Sequence, residues 1–87
     1  MKGKIREILE DLGVDVDYDT CTSLVTGRHL SSLEVLSLVL ELEETFSIMI
    51  PAVDIVASNF DSVDAIADLI TQIRAEEQKL DWLGHVG

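Results

Sequence analysis

Side chains able to do chemistry are few in this chain. Two adjacent serines, Ser31 and Ser32, stand just before a long apolar run, with His29 two residues ahead of them. A hydroxyl and an imidazole this close in sequence are the raw material of nucleophilic catalysis. That chemistry also needs an orienting third group, an oxyanion hole and a substrate cleft, and an 87-residue chain offers little room for them. No enzyme activity is expected, and His29 reads as an exposed loop residue. His85 and the single cysteine, Cys21, do not make a four-ligand zinc site unless carboxylates join them. Asp15, Asp17 and Asp19 copy the first three ligand positions of a calcium loop, but Thr20 stands where that loop needs glycine and Thr26 where it needs a bidentate glutamate. They read as a solvated acidic loop. There is no glycine-rich phosphate loop of either common type.

The serines gain meaning from the helix they open. Ser31 is a good N-cap, and Glu34 three residues on completes the capping-box pattern. The helix is expected from Ser32 to about Phe46, apolar over much of its circumference through Leu33, Val35, Leu36, Leu38, Val39, Leu40, Leu42 and Phe46. Such a helix is expected at the centre of a bundle, touched from several sides, with Glu34, Glu41, Glu43 and Glu44 facing solvent. A serine in the first turn lies beside unpaired backbone N–H groups and the positive end of the helix dipole. Those groups suit an anion, and Ser32 occupies that position.

Around this element the chain reads as all-α. Ile5, Ile8, Leu9 and Leu12 recur at helical spacing and predict a first helix over 2–12, stopped by Gly13. From Val14 to Leu30 no period survives, which predicts a long loop pinned to the core by Val14, Val16, Leu24 and Val25. Pro51 suits the first position of a short third helix over 52–58, broken by Asn59, with Val53, Ile55 and Val56 apolar. Asp61 or Ser62 caps a fourth helix running to about Glu77 on Val63, Ile66, Ala67, Ile70 and Ile73. The result is a small four-helix bundle, three main helices and a short third, with an aliphatic core, since aromatics are only 5% of residues.

Composition narrows the setting. A net charge of −11 repels phosphate backbones and anionic lipid surfaces, so neither nucleic acid nor membrane is an expected partner. No apolar run approaches the ~20 residues that span a bilayer. The start of the chain sets Glu7, Glu10 and Asp11 in the stretch an export signal keeps apolar, so none is expected, and one cysteine leaves no internal disulfide. A cytoplasmic monomer is expected, attracted to proteins with basic patches.

The run Leu30-Ser31-Ser32-Leu33-Glu34, then Leu42-Glu43-Glu44 with Phe46, then Ile50-Pro51, and finally Phe60-Asp61-Ser62-Val63, resembles the acyl carrier protein family. The family has an Asp-Ser-Leu motif at the start of its second helix, a Leu-Glu-x-x-Phe pattern near its end, Ile-Pro before the third and a hydrophobic-x-Thr/Ser-Val pattern at the start of the last. The resemblance covers roughly residues 4 to 75, in order and at matching spacing. It implies an acyl-carrier-protein-like bundle, with a carrier domain over 1–79 and a C-terminal tail over 80–87. It further implies that a phosphopantetheinyl transferase moves 4′-phosphopantetheine from coenzyme A onto Ser32, with Ser31 the second choice. The arm would hold acyl or aminoacyl groups as thioesters for enzymes of fatty-acid, polyketide or related specialised biosynthesis, the carrier itself catalysing nothing.

Aligned this way, Leu33 anchors the helix in the core, while Glu34, Glu41 and Glu44 form an acidic face for basic docking patches on enzymes met in trans. Cargo inside the bundle would lie among Leu36, Leu40, Val56 and Ile66, residues that are by default simply core. Two positions depart from the pattern. Ser31 replaces the usual aspartate, and Ser37 stands where many members have glutamate, which points to a dedicated partner set. The alternative is a carrier-like helical bundle that acts as an unmodified protein-interaction module.

Overall fold

A computed structural model describes residues 1–86, with the surroundings of side chains described as far as Glu77. Helix α1 (Lys2–Asp11) buries Ile5, Ile8 and Leu9 and ends as its glycine requires. Gly13 takes a left-handed φ of 83°, a conformation costly for residues with a Cβ. The Gly13 N–H then donates to the Glu10 carbonyl at 3.0 Å and the Val14 N–H to the Leu9 carbonyl at 3.1 Å. This is the paired closure of a Schellman turn, and it drops Val14 onto the core beside Leu9.

The long loop that follows is fixed at several points. Val14 and Leu24 are buried, and Val16, Tyr18, Cys21 and Val25 pack against the core from its edge. The Tyr18 hydroxyl donates to the Val14 carbonyl, and burial, followed by the charges of Glu10 and Asp15, raises its pKa above the usual phenol value. The aspartates of this loop serve its own geometry. The Asp17 carboxylate accepts the Asp19 N–H at 3.1 Å, and Asp19 pairs with Arg6 on α1.

Helix α2 (Ser32–Phe46) has the expected bounds but not the expected surroundings. Leu38, Val39, Leu42 and Phe46 are buried, whereas Leu33, Leu36 and Leu40 are 77%, 52% and 66% exposed. At about 100° per residue, Leu33, Leu36 and Leu40 share a stripe turned about 140° from the core stripe. Helix α1 packs against α2 and α4, and α3 against α4, so the neighbours cover only one side of α2. Leu33 therefore does not anchor the helix, and Leu36 and Leu40 are not core.

Beyond α2, Ser47 turns left-handed at φ 53° and the Ile48 N–H returns to the Glu43 carbonyl at 3.1 Å. Ile48 and Ile50 then point inward and Met49 outward, as an extended segment demands. Glu43 is not a solvent-facing acid, because its carboxylate accepts the Ile50 N–H at 2.9 Å. The Met49 N–H donates to Glu77 at 3.3 Å. Arg74 of the last helix lies 5.3 Å from the centre of the Phe46 ring and donates to the Phe46 carbonyl at 3.4 Å. It brings a cation to the C-terminus of α2, whose own last turn has none.

The short third helix is where the sequence pattern misleads most. Instead of one helix over 52–58 there is a 3-10 turn at Ala52–Asp54, an extended Val56, and a single-turn α3 (Ala57–Phe60). Pro51 precedes the 3-10 turn rather than opening it, with ψ at 147°. Asn59 lies inside α3 and donates to the Asp54 carbonyl at 2.8 Å, tying the two turns together. Val53 and Val56 are exposed, so the apolar spacing read there as helical does not face the core, and only Ile55 reaches its edge.

Helix α4 (Val63–Val86) is capped by Ser62, whose hydroxyl accepts the Ala65 N–H at 3.0 Å. Asp61, the other expected cap, is engaged elsewhere. The backbone continues helical past Glu77 to Val86, while the side chains of the tail, Trp82 and Leu83 included, lie outside the described residues. The four helices form an all-α bundle whose buried core, among the described residues, is aliphatic apart from Phe46 and Phe60. Among the described residues no helix is long and apolar enough to cross a membrane.

The two stripes of α2 give opposite mutational outcomes. Leu42→Ala, at a fully buried position, is expected to lower the unfolding free energy by about 3 kcal/mol. Leu40→Ala, two residues earlier, is expected to change it by less than about 0.5 kcal/mol. Urea unfolding of both variants at one pH measures the contrast.

Candidate functional site

The site begins at the first turn of α2. Ser31, in extended conformation, closes the expected capping box: its hydroxyl accepts the Glu34 N–H at 3.2 Å, and the Glu34 carboxylate accepts the Ser31 N–H at 3.0 Å. The Val35 N–H is taken by the Ser31 carbonyl at 2.9 Å. The N–H groups of Ser32 and Leu33 are left without a protein acceptor among the described residues. Ser31 is thus committed to the cap. Ser32, the first helical residue, is exposed and makes no side-chain hydrogen bond among the described residues.

Ser31 and Ser32 border an open groove of about 640 Å³ between α2 and the 24–30 loop. One wall is Val35 and Leu36 of α2, with Ile55 reaching in from beyond the 3-10 turn. The facing wall is the loop, through Val25, Arg28 and Leu30. Among the described residues Arg28 is the one charged side chain that lines the groove, and it lies near the positive end of α2. An anionic group with an apolar extension suits a lining of an arginine, two serines and aliphatic side chains.

The loop that carries Arg28 is wound tightly enough to be a fixed wall. The Gly27 N–H donates to the Ser23 carbonyl at 2.6 Å, the Arg28 N–H to the Val25 carbonyl at 3.0 Å, and the Leu30 N–H to the Leu24 carbonyl at 2.8 Å. A Cβ on Gly27 would collide with the Ser23 carbonyl oxygen, so this position requires glycine. Arg28 takes a left-handed φ of 63°, uncommon for a residue with a side chain.

The loop is also tied across the chain to Asp61. The Leu24 N–H donates to the Asp61 carbonyl at 2.8 Å, and the Val25 and Thr26 N–H groups both donate to one Asp61 carboxylate oxygen at 2.9 Å. The Thr26 hydroxyl donates to the other oxygen at 3.3 Å.

Of the expected site residues, Ser31, Ser32 and Glu34 are brought together at the groove end. Glu41 and Glu44 are exposed farther along α2, to one side of the stripe of Leu33, Leu36 and Leu40. Glu34 differs from them, since its carboxylate is turned back into the cap. His29 is exposed in the loop. Arg28 and Asp61 were not among the expected site residues. The positive φ of Arg28 and the pairing of Asp61 with a segment 35 residues away depend on chain geometry that carries no local sequence signature.

The two hydroxyls are separable by stability alone. Ser31→Ala is expected to cost about 1 kcal/mol through loss of the cap, and Ser32→Ala less than about 0.5 kcal/mol. Thermal unfolding of the pair reads the difference. No protein-family model, curated protein or solved structure matches this chain.

Proposed function

We propose that this protein is an acyl carrier, in which Ser32 bears 4′-phosphopantetheine and presents acyl or aminoacyl thioesters to partner enzymes. The observation that supports it best is the exposed Ser32 hydroxyl at the first turn of α2, opening on a groove lined by Arg28 and aliphatic side chains. The residues fit the group. The N–H donors of Ser32 and Leu33, the dipole of α2 and Arg28 suit a phosphodiester on Ser32. The aliphatic lining gives the rest of the arm a surface to lie against. When bound, that arm supplies a terminal thiol for thioester chemistry.

The tasks left to the chain are to expose, orient and dock. Ser31 and Glu34 fix the first turn of α2 and thereby the direction of the Ser32 Cα–Cβ bond. In the transfer, the Ser32 oxygen forms a bond to the phosphorus of the incoming phosphopantetheine. The bond from that phosphorus to the nucleotide part of coenzyme A breaks, and the serine proton passes to a base of the transferase. Burial in the bundle plays no part in this step, because the hydroxyl meets its donor on the surface.

Docking falls to the outer stripe of α2. Leu33, Leu36 and Leu40 form an exposed aliphatic ridge with Glu44 and Glu41 beside it. An apolar strip with an acidic rim suits an enzyme surface that is apolar at its centre and basic at its edge. That ridge would equally serve an unmodified interaction module, so the loading of Ser32 is what separates the two readings.

Incubation with coenzyme A, magnesium and a permissive transferase is expected to add one phosphopantetheine to the intact mass, and Ser32→Ala to abolish the gain. A gain retained in Ser32→Ala would move the site to Ser31, and no gain with several transferases would leave the interaction module. Affinity for a partner enzyme is expected to fall as salt rises and to drop further in Glu41→Lys and Glu44→Lys. Binding indifferent to both would sink the docking account.

A further inference from the structure

Asp61 sits in the Phe60-Asp61-Ser62-Val63 run, where a helix cap was expected, yet Ser62 performs the capping. That leaves the Asp61 side chain free for another task. Its backbone carbonyl and carboxylate together take the N–H groups of three successive loop residues, Leu24, Val25 and Thr26, and the Thr26 hydroxyl. Convergence of consecutive main-chain donors on one acidic residue makes an anion nest, with the anion supplied by the protein itself. Charge-assisted bonds of this kind are stronger than neutral ones and directional.

The latch lies directly behind the groove wall. Val25, which donates to Asp61, also lines the groove, and Leu24 accepts from Leu30, the residue before Ser31. Arg28 lies between these two fixed points, its N–H bonded to the Val25 carbonyl. One carboxylate at the α3–α4 junction therefore sets where the loop, its arginine and the approach to the first turn of α2 sit.

We infer that Asp61 is a positioning residue for Ser32: it latches the 24–30 loop as the outer wall of the groove, so that Arg28 and Leu30 hold their places beside the serine. The link to loading rests on the carrier reading; the latch itself is independent of it. The conservative variant Asp61→Asn keeps a carbonyl oxygen for the two N–H donors, and Asp61→Ala removes both oxygens.

The test combines amide hydrogen exchange with loading kinetics on the full chain. In Asp61→Ala, exchange at Val25 and Thr26 is expected to rise about tenfold or more while the Leu38 and Leu42 amides of α2 stay protected. The amide chemical shifts of Ser31 and Ser32 are expected to move. The KM for the unloaded protein with a transferase is expected to rise severalfold with kcat nearly unchanged, and Asp61→Asn to recover most of the wild-type behaviour in each readout. Unchanged exchange at Val25 and Thr26, or acceleration shared equally by Leu38 and Leu42, would overturn the latch. Unshifted Ser31 and Ser32 amides, or loading by Asp61→Ala with wild-type KM, would overturn its action on Ser32. Should the wild-type chain accept no phosphopantetheine, the carrier reading fails, while the exchange and chemical-shift results still decide whether Asp61 holds the wall.

Discussion

A fifteen-residue helix can be apolar on most of its circumference, yet a domain of 87 residues has too few partners to cover it all. In this bundle the cover goes to the stripe of Leu38, Val39, Leu42 and Phe46, which meets Ile5, Ile8 and Leu9 of α1 and Ile66 and Ile70 of α4 in one core. The orientation of α2 about its own axis follows from that choice. With the core stripe inward, Leu33, Leu36 and Leu40 must face out, and Ser32 must open beside the 24–30 loop. A rotation of α2 would bury the serine or expose the core, and either would remove the site.

Polar side chains do the work at the ends of elements, where the backbone has unsatisfied groups. Ser31 and Glu34 close the start of α2, Glu43 and Arg74 hold the segment after its end, and Ser62 starts α4. Each replaces a hydrogen bond to water with one to a fixed partner, a modest gain in energy but a large one in geometry. The acidic composition thus has more than one use. Glu34, Glu43 and Asp61 are internal acceptors of main-chain N–H groups, while Glu41 and Glu44 remain on the surface.

By comparison, the exposed ion pair of Lys2 with Asp64 has little weight. Its distance of 2.8 Å is short, and each partner shifts the other's pKa toward the charged form, chiefly through their shared hydrogen bond. Both groups lie in water, where such pairs contribute little. The mutual placement of α1 and α4 comes from the isoleucines and leucines between them.

Local chemistry was enough to read α1 with its Gly13 stop, the Ser31–Glu34 capping box, the bounds of α2 and the pinning of the long loop by Val14 and Leu24. The first three depend on residues within a few positions of one another, so spacing carries them, while Val14 and Leu24 stand out as apolar residues in a polar loop. The broken third helix was not legible, because Val53, Ile55 and Val56 fit a helical period that only packing could reject. The same holds for Leu33, Leu36 and Leu40: periodicity says they share a face, and only the arrangement of α1 and α4 decides that the face is outward. The groove, the place of Arg28 in it and the hold of Asp61 on Val25 and Thr26 join segments far apart in the chain. Long-range contacts of that kind exist only after folding. The sequence by itself therefore determined the first two helices, the capping box and a serine at a helix start, and the tertiary structure decided the broken third helix, which leucines are surface and what surrounds that serine.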